Sequence, residues 1–177
     1  IVNLPNALQP GDSFTLNTPF NVKLPSGEIS RLGHIGESYQ ITQWYPKPAV
    51  YDRDGWHQMP YLNQGEFYSE YGSFDVTITL PENYVVGATG DLQTAAEINF
   101  LNERVALTQQ GKLPKTNAFP TSATAKKTIR YTQSNVHDFA WFADKRWHVL
   151  KGEVTLPHSG NKVTSWAMFT PESADLW

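Results

Sequence analysis

The residues with the chemistry to cut, coordinate or bind are few and scattered. Five histidines, His34, His57, His137, His148 and His158, are the candidate imidazole ligands. No two stand four apart, the spacing that puts two ligands on one helix face, and there is no HExxH. His137 adjoins Asp138, but neighbours on a strand point to opposite faces. These histidines read as surface or edge residues. Glu66 and Glu70 flank a three-residue Phe-Tyr-Ser segment. Extended, their Cα atoms stand about 13 Å apart at ~3.3 Å per residue, beyond the roughly 5 to 9.5 Å of glycosidase pairs, so they read as a charged loop rim. No serine sits in GxSxG. Gly33-His34-Ile35-Gly36 is not GxGxxG, and no Rossmann unit surrounds it. The absence of cysteine excludes disulfides, thiolate metal sites and a cysteine nucleophile. One short stretch stands out: Thr42-Gln43-Trp44-Tyr45-Pro46, an amide and two large aromatics closed by a proline.

The elements that must position such residues follow a period of two. In "FDVTITLP", Phe74, Val76, Ile78 and Leu80 point one way and Asp75, Thr77 and Thr79 the other, a half-buried antiparallel strand closed by Pro81. "SFTLN", "FNVKLP", "SYQIT", "KTIRYTQ", "WHVLKGEVTLP" and "KVTSWAMF" read as further strands, roughly nine or ten in all. "INFLNERVALT" is predicted to be a hairpin bent near Asn102-Glu103. Leu-Pro followed by turn residues recurs at strand ends, because proline cannot continue a central ladder. Only the last residues carry a helix signal: Thr170 as N-cap, Pro171 at N1 and Glu172 in the first turn. Trp141 and Phe142 are predicted to alternate, one buried and one partly exposed. The pattern predicts an all-β antiparallel sandwich of two packed, twisted sheets. Residues 49–72 break the alternation and hold Tyr51, Trp56, Tyr61, Phe67, Tyr68 and Tyr71; segments this long and irregular are usually functional.

The chain of 177 residues suffices for one domain with a core. Its net charge is -3, and its basic residues form only isolated pairs such as Lys126-Lys127, which leaves little footprint for a nucleic-acid partner. No apolar run approaches a membrane span. The opening "IVNLPNALQPGD" lacks the basic start and apolar stretch of a signal peptide.

Three segments in order resemble the N-terminal domain of M1-family zinc aminopeptidases, the group of aminopeptidase N and leukotriene A4 hydrolase, in its Bacteroidetes-type form. Thr42, Gln43 and Pro46 match a T-Q-x-E/Q-P segment. "FDVTITLPENYVVGATG", residues 74 to 90, matches the family's strand. "VHDFAWFADKRW", residues 136 to 147, is similar to its later segment. The resemblance covers about residues 20 to 170. It implies a single non-catalytic β domain over 1–170, with 171–177 starting a linker or helix to a catalytic domain outside this chain. Zinc belongs to that other domain, with no metal site here. The implied partners are that catalytic domain and a peptide substrate, and the implied parent is an exported bacterial protein.

In the family, the glutamine and the following Glu/Gln hold the substrate's free amino end. Carried over, the substrate-binding candidates are Gln43 and Tyr45. If the segment is extended, these two share a face toward the cleft, and Trp44 anchors the opposite side. Tyr45 stands where the family has Glu or Gln, so a phenol replaces a carboxylate as the amine's partner. The family's F-P-C-x-D-E-P segment is replaced by "HQMPYLNQGEFYSEYG". Two other classes make different demands. A stand-alone carbohydrate- or peptide-binding sandwich using loop 49–72 needs an exposed, co-planar pair such as Trp56 and Tyr61. A small hydrolase needs a pocket of converging titratable groups. The peptidase-domain reading needs an apolar docking patch with Gln43 at its rim.

Overall fold

Strand pairing tracks the period-two stretches from residue 33 onward. The computed structural model describes residues 4, 6–27, 31–60, 62, 65 and 67–177. Strands take 37% of the chain and helices 13%, in several antiparallel sheets, so the architecture is all-β and sandwich-like. In chain order the strands are β1 (Gly33–Ile35), β2 (Ser38–Ile41), β3 (Val50–Asp52), β4 (Gly55–His57), β5 (Gly72–Pro81), β6 (Val85–Ala88), β7 (Asp91–Leu92), β8 (Lys126–Val136), β9 (Trp141–Asp144), β10 (His148–Thr155) and β11 (Lys162–Phe169). One helix, α1 (Ala95–Gln109), separates β7 from β8.

Two sheets form the sandwich. One runs β1-β2-β9-β6 and the other β5-β8-β7. Ile78 and Ile129 face each other across β5 and β8, and with Leu80 and Tyr131 they meet Val86 and Ala143 of the opposite sheet. Phe139 and Tyr84 complete this core. The alternation expected for Phe74, Val76, Ile78 and Leu80 is present: all four are covered, and Asp75, Thr77 and Thr79 are exposed. The β6–β7 turn depends on Gly90, at φ 91°, where an added Cβ would sit 2.5 Å from the Thr132 carbonyl oxygen.

Val85 and Val86 are adjacent and both fully buried. Val86 faces the sandwich, and Val85 faces a second cluster with Leu101 of α1 and Val149 of β10. α1 therefore lies behind the β6–β9 sheet as a third layer. This corrects the hairpin expected over "INFLNERVALT". The helical face that packs inward carries Glu97, Phe100, Leu101, Arg104, Val105 and Thr108, a stripe that is half polar and so hides the 3.6 period. Each polar member has a partner. Glu97 pairs with Lys127 at 2.7 Å, Arg104 donates to the Trp147 and Lys145 carbonyls, and Thr108 accepts from the Val149 amide.

Other expectations also need correcting. "SFTLN" and "FNVKLP" are not strands: residues 11–25 enter no ladder, and Phe14, Leu16, Phe20 and Val22 are exposed. Among the described residues the alternation there finds no neighbouring strand, and a single bridge joins Ser26 to His34. Trp141 and Phe142 are both half-buried, where one fully buried residue was expected; Trp141 packs against the sandwich core. The final residues form a short 3-10 turn, Pro171–Leu176, with Thr170 before it.

A buried charge links the sheet to a distant loop. Lys145, 2% exposed, pairs with Glu37 and donates to Ser122 Oγ at 3.0 Å. Glu37 is half-exposed, so the two partners differ in what they lose alone. Glu37→Gln leaves a buried ammonium without a counter-charge and should cost about 2–3 kcal/mol, whereas Lys145→Met removes the buried charge and should cost about 1 kcal/mol or less. Urea unfolding of the two variants checks the order; equal losses would contradict it.

Candidate functional site

The Gln43 segment leaves its strand earlier than proline alone would require. β2 ends at Ile41, and Gln43 adopts φ 52°, in the left-handed region. That turn is uncommon for a residue with a Cβ and is worth attention as local strain. It also overturns the simple alternation expected for residues 43–45. Trp44 and Tyr45 pack against the same sandwich core, with ring centroids 5.4 Å apart and edge to face. The Trp44 indole N–H donates to the Phe139 carbonyl at 3.1 Å, so its anchoring role holds.

Tyr45 is committed internally. Its ring meets Phe74 edge to face, and its hydroxyl donates to Asp138 Oδ1 at 3.0 Å. Asp138 also accepts from the Phe139 amide and pairs with Lys47 at 2.9 Å. Burial, followed by the Asp138 charge and hydrogen bond, raises the Tyr45 phenol far above its ordinary value. The Lys47 ammonium lies 5.5 Å from the Tyr45 ring centre and 5.6 Å from that of Phe67. The tyrosine thus has a ring to offer a neighbour, with its oxygen already engaged.

Gln43 goes elsewhere. It lines a hollow with Arg31, Met59, Pro60, Leu62, Gly65 and Phe67. The open space is about 10 Å³, room for roughly one water-sized group. Met59 and Leu62 are exposed beside it. The Gln43 side-chain oxygen is buried and has no hydrogen-bond partner among the described residues; the hydroxyls of Thr42 and Ser69 share that state. An unsatisfied buried acceptor costs about 1–3 kcal/mol. The structure therefore separates the two predicted site residues, with Gln43 at the hollow and Tyr45 in the core network. Sequence reasoning missed Asp138 and Lys47. Asp138 lies 93 residues from Tyr45, and no local spacing could have linked them.

The aromatic stretch holds a second feature. β3 and β4 form a hairpin in which Tyr51 and Trp56 are directly opposed, both two-thirds exposed, with centroids 4.9 Å apart and planes inclined by 56°. Trp56 therefore has Tyr51 as its neighbour; Tyr61, the expected one, lies outside the described residues, as does Glu66 of the carboxylate pair. On the hairpin's other face His57 Nε2 meets Asp52 Oδ1 at 2.7 Å, with the Tyr68 hydroxyl 3.4 Å from Oδ2. The His57 hydrogen bond, then the Asp54 amide, hold the Asp52 carboxyl below its usual range. A broader hollow of about 510 Å³ lies between Asp75, Asp91 and Thr132. There Arg130 donates twice to Asp75 and keeps it ionised. No group of three or more His, Asp or Glu residues able to hold a metal occurs among the described residues.

Comparison with protein-family models, curated proteins and solved structures finds no match for the chain.

Burial pushes the Tyr84 phenol up to about 12, against a lowering hydrogen bond from Ser122 and with added repulsion from Tyr39 and Glu37. A phenol raised on folding stabilises the native state fully below its unfolded value near 10 and loses that contribution as pH climbs through the folded value. The chain should therefore weaken between about pH 10 and pH 12. Tyr84→Phe should make that decline shallower, measurable as urea midpoints at the two ends of the window; an unchanged slope would remove Tyr84 from the account.

Proposed function

We propose that this chain is the non-catalytic N-terminal domain of an M1-family zinc aminopeptidase, walling the active-site cleft and helping to hold the substrate's amino end. Zinc and the peptide-cutting residues would belong to a catalytic domain outside this chain. The reading rests on the resemblance of residues 42–46, 74–90 and 136–147. One structural observation supports it most: the Gln43 oxygen, buried and without a hydrogen-bond partner among the described residues, beside a hollow that admits one small group. A primary ammonium offers three donors and would satisfy that acceptor. Exposed Met59 and Leu62 supply the apolar rim that a docked domain or substrate side chain would cover. Tyr45 serves this reading as an anchor, holding the segment through Asp138, more than as a direct amine ligand.

The test uses the polypeptide encoded with this chain. HExxH and the amine-gripping GxMEN segment should follow Trp177 in the reading frame, and the intact protein should release N-terminal residues. Gln43→Ala should then raise KM for free-amine peptides about tenfold, the equivalent of one lost hydrogen bond to a charged group. A frame without the zinc motif ends the peptidase reading.

A stand-alone carbohydrate- or peptide-binding role is the second reading, favoured by the exposed Tyr51–Trp56 pair. The tilt of the two rings makes a wedge in place of a flat platform. Trp56→Ala should abolish any retention on immobilised polysaccharide while leaving thermal unfolding within a few degrees of the parent. Absence of retention by the parent chain would dispose of the carbohydrate form.

A further inference from the structure

We propose that two copies of this chain associate through the outer edge of β10, in an antiparallel pairing centred on Gly152. This inference is independent of the peptidase reading. β10 and β11 form a two-stranded hairpin that pairs with no other strand among the described residues. Residues 151–166 are exposed along its whole length. The Leu156 amide donates to the Asn161 carbonyl at 2.8 Å, which sets the parity of the ladder: residues 154, 152 and 150 bond inward to β11. Lys151, Glu153 and Thr155 then turn their amides and carbonyls outward. The Val149 amide, also outward by this parity, is taken by the Thr108 hydroxyl of α1 at 3.0 Å. Beyond that point no hydrogen bond to the outward groups of Lys151, Glu153 or Thr155 occurs among the described residues. An unprotected edge of this kind is a template for another strand.

Charge selects both the partner and the register. Lys151 and Glu153 project from one face, two residues apart on either side of Gly152. Within the hairpin Glu153 pairs with Lys162 at 2.7 Å, both exposed, and the Lys151 ammonium lies 4.9 Å from the Trp166 ring centre, so a second copy's Lys151 would share Glu153 with Lys162. In an antiparallel pair of β10 strands centred on Gly152, each Lys151 faces the Glu153 of the other copy. Both members of each pair are outward-bonding residues, so the backbone hydrogen bonds and the ion pairs form together. A shift of the centre by one residue sets Glu153 against Glu153 or Lys151 against Lys151, which repel. The opposite face gains Leu150 against Val154. Val154 and Val163, 55% and 45% exposed, extend into a continuous apolar strip across four strands. The capped Val149 amide ends the pairing at its inner limit. The contact is self-complementary, as a two-fold interface requires.

Five paired residues per copy bury much less than the roughly 1,200 Å² of a stable complex. The dimer should therefore be weak, with a dissociation constant on the order of 100 μM. Sedimentation of the full chain across the micromolar range should show a monomer–dimer equilibrium that salt weakens. In a Lys162→Gln background, which removes the intrachain ion pair of Glu153, Glu153→Lys and Lys151→Glu should each weaken it at least tenfold, and the double exchange Lys151→Glu/Glu153→Lys should restore it. Circular dichroism confirms that each variant is folded, and the salt dependence of the parent serves as a second measurement should a single variant fail to fold. A chain that stays monomeric at every concentration overturns the proposal. So does association that either single reversal leaves untouched, or a double exchange as weak as the singles, since each places the contact elsewhere.

Discussion

The rest of the structure depends on one strand being covered on both sides. Val85 and Val86 are neighbours in β6, their side chains point in opposite directions, and both are fully buried. Covering Val86 requires the β5–β8 sheet; covering Val85 requires α1 and β10. A half-solvated sheet would need only the first. The double demand turns a two-layer sandwich into three layers and explains why a helix appears in a chain otherwise built from strands. Burying two such side chains contributes on the order of 3–6 kcal/mol, a large share of a marginal total.

Much of the sandwich was legible because its rule is local. β5 and β8 alternate in the sequence as they do in space, and Pro81 ends β5 where a ladder could no longer continue. α1 was not legible, because half its inward stripe is Glu97, Arg104 and Thr108. Those side chains are inward for their hydrogen-bond partners on β8, on the segment after β9 and on β10, and such partners cannot be read from a helix in isolation. The reverse error occurred at residues 13–24, where Phe14, Leu16, Phe20 and Val22 alternate without any ladder to join. Periodicity reports which side chains could share a face; only the whole fold decides whether that face meets anything.

The Gln43 region shows a similar division. The importance of Thr42–Pro46 could be read from its residue types, but its geometry could not. A turn at Gln43 sends the amide one way and both aromatics the other, and Asp138 fixes the outcome by taking the Tyr45 hydroxyl, the Lys47 ammonium and its own neighbour's amide. The carboxylate acts as a clamp on the segment's C-terminal side. Gln43, just before the clamp, keeps an acceptor that none of the described residues satisfies.

The position of β9 has a consequence for how the protein is made. β9 sits between β2 and β6, yet it is the last of the three to leave the ribosome. Its partner β2 lies about a hundred residues earlier, as do Trp44 and Glu37, which join Phe139 and Lys145. At about 5–20 residues per second, β2 waits roughly 5–20 s for the strand that closes its sheet. Through that interval its edge is open and the apolar side chains of the N-terminal half are uncovered. Completion of the sheet is thus tied to synthesis of the C-terminal third, and the nascent chain passes through a period in which a chaperone has an unpaired strand to hold.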